Sequence, residues 1–249
     1  MKSVSIGDLH GRDVWKKVIP NKDNYDKIIF MADYCDSFDF SNVEILHNLR
    51  EIIEFKKDNP DKVILLMGNH DTSYFYFPDY YCEGFRAELR PSIEILFNDN
   101  KNLFQVSYQY KNHLWTHAGV TNKWLSEFKP LAEDKKLWDD NLPLSDILNM
   151  ANETSLQEKL FQKSGWRVKP INENLNGGII WADISETRKD YLEGYQQIVG
   201  HTPIFRNTTV EHKKSSIAYI DSLAHEDGEF CRSRKSNRST YLLIFSIIT

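Results

Sequence analysis

Along the first third of the chain, short apolar runs alternate with amphipathic stretches, the pattern of strands interleaved with helices. Val4-Ser5-Ile6, Lys27 to Met31 and Val63 to Met67 read as buried strands. The segment from Gly11 to about Ile19 reads as helical. A second helix starts at about Val43, with Val43, Leu46, Leu49, Ile52 and Ile53 on one stripe. Ser41 and Glu44 stand at capping-box spacing before it, and Asn59-Pro60-Asp61 ends it. This β-α-β-α-β order favours a parallel sheet whose strand carboxyl ends carry the loops available for chemistry.

The later pattern is less regular. Phe85 to Phe97 reads as a helix with Pro91 inside it, then Leu103 to Tyr110 and His113 to Thr116 read as strands around a Lys111-Asn112 turn. The polar stretch from about 122 to 170 is helix-like and reads as a cap inserted into a single domain spanning 1–249. Strand signals return after Asn176-Gly177-Gly178, at Ile179 to Trp181, Gln197 to Val199, Ile217 to Ile220 and Tyr241 to Phe245. The expected fold class is α/β, with two packed, mainly mixed β-sheets flanked by helices.

Composition narrows the function classes. A chain of 249 residues can bury a large core. A formal net charge of −5 without a broad basic tract argues against nucleic acid as a partner. Cys35, Cys82 and Cys231 are too few and scattered for a disulfide framework or a thiolate zinc site, which favours a reducing compartment. No apolar leader fits before the first polar motif, and the run Leu242 to Ile248, broken by Ser246, is too short to span a bilayer. A soluble, cytoplasmic protein with no membrane partner is expected.

Three polar motifs fall at the ends of the first three strands: Gly7-Asp8-Leu9-His10-Gly11, Asp33-Tyr34-Cys35-Asp36 and Gly68-Asn69-His70-Asp71. His117 and His201 each follow a later strand. Asp8 and His10, two residues apart on a glycine-flanked turn, can share one cation. Asp33 has two oxygens and can bridge two. Asn69 offers a carbonyl oxygen, and the two later histidines offer imidazole nitrogens. Mixed nitrogen and oxygen donors suit a pair of divalent ions, Mn, Fe or Zn, better than the all-oxygen shells of Mg or Ca. Two such ions point to phosphate-ester hydrolysis.

In this order the motifs resemble those of the calcineurin-like metallophosphoesterases, most closely their phosphoprotein-phosphatase branch, over residues 7 to 203. His117-Ala118-Gly119 is similar to the family's His-Gly-Gly, and Gly200-His201-Thr202-Pro203 lacks a second histidine, as in that branch. The resemblance implies the family's αββα sandwich and attack on the phosphate ester by a dimetal-bound hydroxide. It implies that Asp8, His10 and Asp33 hold one metal, and Asp33, Asn69, His117 and His201 the other. It further implies that His70 is the general acid, oriented by Asp36. The chemistry agrees, because a carboxylate on one ring nitrogen fixes the tautomer and raises the pKa of the other.

Two positions depart from the family pattern. Ala32 stands where the family usually has Gly, a small steric change, and Ser37 where it has Arg, which removes a bidentate phosphate clamp. Arg12, Arg167 or Arg188 are candidate replacements, Arg188 foremost. The expected substrate is phosphorylated: a phosphomonoester such as a phosphoprotein or small phosphoester first, with a dinucleoside polyphosphate or other nucleotide as the enzymatic alternative. A binding scaffold that kept the fold and lost the chemistry is the rival from another class.

The remaining features take ordinary readings. His47 lies on the polar side of a helix, His113 beside a turn, His212 in a charged stretch and His225 in a loop; Cys35 is a small packed side chain. The aromatic segment from Tyr74 to Phe85 packs against core or cap, or stacks a base or phenolic leaving group. Arg232, Arg234, Lys235 and Arg238 form a solvated turn.

Overall fold

The computed structural model describes residues 1–163, 176–223 and 247–248. Arg167, His225, Cys231, the basic run and the strand expected at Tyr241 to Phe245 lie outside the described residues. The strands, in chain order, are β1 (Lys2–Ile6), β2 (Lys27–Phe30), β3 (Val63–Leu66), β4 (Phe104–Gln105) and β5 (Ser107–Tyr110), followed by β6 (His113–Thr116), β7 (Gln196–Val199), β8 (Thr208–His212), β9 (Ser215–Tyr219) and β10 (Ile247–Ile248). They form two five-stranded sheets, in the orders β10-β1-β2-β3-β4 and β5-β6-β7-β9-β8. The α/β class with two mixed sheets and flanking helices is as expected. The chain divides into two compact units, Met1–Phe104 with Pro203–Arg206 and Ile220–Thr249, and Gln105–Thr202 with Asn207–Tyr219.

In the first unit β1, β2 and β3 are parallel, with Ser3 opposite Lys27 and Ile28 opposite Val63. Their inner residues Val4, Ile28, Ile29, Phe30, Val63 and Leu65 are buried. Each such side chain contributes about 1.5–3 kcal/mol relative to exposure. Helix α1 (Asn42–Asp58) starts with the predicted capping box between Ser41 and Glu44. Its buried stripe is Ile45, Asn48, Leu49, Ile52 and Ile53, while Val43 is 77 % exposed. Asn48 is buried because it accepts from Trp15 Nε1 at 2.8 Å and donates to Arg12 O at 3.0 Å. That bond pair ties α1 to the segment after the first motif.

That segment, Val14–Asn24, is helical as expected, in the tighter 3₁₀ form. Pro20 lies inside it and supplies no N–H, and the bonds that close its ends are i to i−3, as in Lys16 N to Asp13 O. Two short helices follow β3, α2 (Asn69–Phe75) and α3 (Arg90–Asp99). Pro91 stands in the first turn of α3, where its missing N–H costs nothing, so it starts the helix instead of lying inside one from Phe85 to Phe97. Phe75 stacks on Phe97 at 4.0 Å, and both meet Phe104 edge-on at 5.3 Å.

In the second unit β6 and β7 are parallel, as are β7 and β9, while β5 and β8 are antiparallel edge strands. Helices α4 (Asn122–Asp134), α5 (Leu144–Asn152) and α6 (Gln157–Leu160) occupy the stretch read as a cap, and 164–170 of it lies outside the described residues. Asn149 of α5 accepts from Val106 N and Ser107 N at 3.0 and 3.1 Å. These bonds divert the backbone at Val106, which is why the run expected as one strand from Leu103 to Tyr110 is two. Ile179 to Trp181 is a turn and not a strand, with Trp181 N and Ala182 N both bonded to Gly178 O. Its apolar side chains reflect burial alone. Helix α7 (Ile184–Asp190) begins with a capping box between Asp183 and Glu186. Among the described residues no helix is long and apolar enough to cross a membrane.

Candidate metal centre

The carboxyl ends of β1, β2 and β3 deliver Asp8 and His10, Asp33 and Asp36, and Asn69 and His70 to the first unit's loops. Gly7 makes the first turn possible, because a Cβ there would stand 2.6 Å from Ile220 O. Four non-glycine residues of these loops take left-handed backbone: His10 at φ 46°, Ala32 at 90°, Asp33 at 51° and Asp36 at 57°. Each such residue costs about 1–2 kcal/mol and persists only where surrounding bonds over-determine it. Ala32 therefore differs from glycine chiefly in backbone strain, which corrects the expectation of a merely steric change.

Those surrounding bonds are present. His10 N donates to Asp33 O at 2.7 Å, joining the first two loops. The fully buried Asp71 carboxylate joins the second and third. One oxygen accepts from Asp33 N at 2.8 Å and Gly68 N at 3.0 Å, and the other from Tyr34 N at 2.9 Å and Cys35 N at 3.4 Å. Asp71 stands in the quoted motif, yet nothing local in the sequence reveals this role.

Asp8, Asp33, Asp36 and Asn69 are all buried. His10 Nδ1–H donates to Cys35 O at 3.2 Å and Asp36 O at 3.0 Å, leaving Nε2 as the candidate ligand atom, 3.7 Å from Asp33 Oδ2. Burial holds the His10 pKa below its ordinary value, against the opposing charge of Asp33, and so favours the neutral imidazole a metal takes. Ligand atoms of His10, Asp33 and His70 lie within 4.8 Å of one another, and so do those of Asp8 and Asp33. Asp33 is common to both sets. Asn69 Nδ2 donates to Cys82 Sγ at 3.0 Å. Buried carboxylates gathered with imidazole nitrogens form a donor set that fits divalent metal ions, whose charge would offset the cost of burying them.

His70 follows Asn69 at the start of α2, and its backbone N donates to Asp33 Oδ1 at 3.1 Å. Its Nδ1–H donates to Asp36 Oδ2 at 3.0 Å, and its ring meets that of His10 edge-on at 4.9 Å. Burial alone would lower its pKa, but the Asp33 charge and the Asp36 hydrogen bond outweigh it and hold His70 well above the ordinary value. His70 and Asp36, which the sequence motifs name together, are thus joined by a direct hydrogen bond.

Two arginines among the described residues brace the loop that follows Asp36. Arg12 is buried and donates to Leu9 O at 3.3 Å and Asp39 Oδ2 at 3.1 Å. Arg86, which no sequence motif singles out, donates to Ser37 O, and to Phe40 O at 3.0 Å. Ser37 Oγ accepts from Asp39 N and Phe40 N. Tyr74, read only as part of an aromatic segment, is fully buried and donates its hydroxyl to Asp36 Oδ1. Spacing offered one signal: on a helix, residue 74 lies one turn beyond residue 70 and on the same face. Cys35 is a buried free thiol whose pKa burial pushes well up, so it packs as a neutral side chain.

In the second unit His117 and His201 follow the neighbouring parallel strands β6 and β7, one and two residues beyond their ends. Gly200 N donates to His117 O at 2.8 Å, and the two imidazole rings stand 5.1 Å apart. Trp181 meets His201 edge-on at 5.7 Å, and His201 has φ 68°. Arg188 is exposed on α7, its guanidinium 5.7 Å from the Tyr219 ring. His113, expected beside a turn, is buried on β6, and burial lowers its pKa.

A family model described as calcineurin-like phosphoesterase matches residues 1–220. Comparison with curated proteins gives no match. Among solved structures, a protein serine/threonine phosphatase from Saccharomyces cerevisiae, described as similar to human phosphatase PP5, is 14 % identical with a TM-score of 0.47. The alignment covers 89 % of this chain and 67 % of that one.

Proposed function

The chain belongs to the calcineurin-like phosphoesterase family, and from that footing we propose that it is a metal-dependent hydrolase of phosphomonoesters. The observation that carries the reading is the His70–Asp36 pair, bonded at 3.0 Å beside the buried Asp33. Family membership supports assigning Asp8, His10 and Asp33 to one divalent ion, and Asp33, Asn69, His117 and His201 to a second. When bound, such ions would supply Lewis-acid polarisation of the phosphoryl oxygens and a more acidic water. The chain's own residues do the rest. His10 is held by two carbonyls in the tautomer that offers Nε2. His70 gives its Nε2 proton to the leaving oxygen, and Asp36 keeps that ring in place. The free, buried Cys35 and Cys82 support a cytoplasmic setting.

A nucleotide substrate is the second reading, favoured by two exposed aromatics of the first unit, Phe38 at 92 % and Tyr81 at 63 %. The test is hydrolysis of an aryl phosphate by metal-stripped protein with and without Mn²⁺, alongside Asp33→Asn. Turnover requiring both metal and Asp33 supports the proposal. Full turnover by stripped protein, or by Asp33→Asn, overturns it. Activity restricted to dinucleoside polyphosphates in a substrate panel would select the nucleotide reading, and metal binding without any turnover would select the scaffold.

A further inference from the structure

The hydrogen bonds of Asp36 extend one step beyond His70. One carboxylate oxygen accepts from His70 Nδ1, and the other accepts from the hydroxyl of Tyr74. The hydroxyl in turn accepts from Arg86 N at 3.0 Å. A phenol has one proton to donate. Because the Arg86 amide can only donate, it occupies a lone pair of the hydroxyl and directs that single proton at Asp36. The Tyr74 ring cannot swing away, since it is fully buried and packs on Phe85 with centroids 4.7 Å apart. Asp36 is itself 2 % exposed and sits on left-handed backbone, so solvent does little to fix its carboxylate.

We propose that Tyr74 is a positioning residue for proton donation, its hydroxyl clamping the Asp36 carboxylate in the rotation that holds His70 Nδ1. This rests on the reading of His70 as the acid. Tyr74 lies one helical turn after His70 on α2, so both ends of the clamp are carried by one rigid element and Asp36 is gripped from two points of it. Burial pushes the phenol well above its ordinary pKa, so it remains a neutral donor throughout the working range. Without the hydroxyl, one oxygen of a buried carboxylate loses its partner, and the carboxylate can turn toward Arg86 N or water at the expense of His70.

The test is Tyr74→Phe in the metal-loaded enzyme, which keeps the ring and its packing. Proton donation matters for a poor leaving group and little for a good one. We expect kcat to fall about ten- to a hundredfold on an alkyl phosphate, the range for losing a residue that orients a site group. On p-nitrophenyl phosphate we expect kcat within about twofold of wild type, with KM unchanged on both. Phe85→Leu, which disturbs the packing and keeps the hydroxyl, should not separate the two substrates. In metal-free protein, the His70 Nδ1–H proton resonance should be sharp in wild type and exchange-broadened in Tyr74→Phe. Equal losses on both substrates, or an unchanged resonance, overturn the clamp. If His70→Asn itself fails to separate the substrates, the acid assignment falls, and the resonance alone then decides whether Tyr74 holds the pair.

Discussion

Replacing Asp71 by asparagine removes the joint between the loops that carry Asp33 and Asn69 while changing almost no volume. The carboxylate accepts four backbone N–H bonds, two on each oxygen. An asparagine keeps one acceptor oxygen and turns a donor toward the other pair. The pair of Asp33 N and Gly68 N, at 2.8 and 3.0 Å, is the tighter; Tyr34 N and Cys35 N are at 2.9 and 3.4 Å. The amide will therefore place its oxygen on the first pair and leave the second facing an NH₂. A hydrogen bond to a charged group contributes about 1.5–3 kcal/mol, so two lost bonds cost roughly 3–6 kcal/mol. The long Cys35 bond puts the expected loss near the lower end, about 3 kcal/mol. That is a large part of a typical stability of about 5–15 kcal/mol. Urea unfolding of metal-stripped protein measures it, with the exposed Asp58→Asn as control. A loss below about 1 kcal/mol, matching the control, would refute the assignment of Asp71 as the joint.

Three further outcomes are expected. His113 titrates near 6.5 in the unfolded chain and lower when folded, because burial disfavours its charged form. The unfolded state thus binds more protons between those two values, so the His113 contribution is complete above about pH 6.5 and is lost as pH falls toward the folded pKa. His113→Gln should flatten that acid-side slope in unfolding curves, and an identical slope would count against it. Gly7→Ala forces a Cβ to within 2.6 Å of the Ile220 carbonyl and should cost about 1–3 kcal/mol by thermal unfolding; a neutral result would mean the strand end moves freely. His70→Asn should lower turnover of an alkyl phosphate about 10²- to 10⁴-fold while metal content, measured by elemental analysis, stays the same. Full turnover on that substrate would end its assignment as the acid.

Several features of the fold and the site were legible in the chain because they depend on near neighbours. The strand-end placement of Asp8, Asp33 and Asn69 follows from apolar runs that stop at polar motifs, and the Ser41–Glu44 box marks the start of α1 through its own first turn. Helix phase was less legible. The apolar stripe holds at Leu49, Ile52 and Ile53 but misses at Val43, because the buried face of α1 includes Ile45 and Asn48, and Asn48 is inside only because Trp15 and Arg12 meet it there. At Ile179 to Trp181, burial and strand geometry carry the same sequence signal, and Gly178 closes a turn.

Taken alone, the sequence determined which chemical groups are candidates to meet a metal and a phosphate ester, since that choice follows from residue type and motif order. Tertiary structure decided how those groups are held. Asp71 bonding to Asp33, Tyr34 and Cys35, Arg86 reaching Ser37 and Phe40, and Tyr74 gripping Asp36 join positions 36 to 49 residues apart. Such contacts leave no periodicity or spacing to read. They form only when the chain has folded and each buried polar atom must find a partner in the space around it, because an unpaired one costs more than its bond returns.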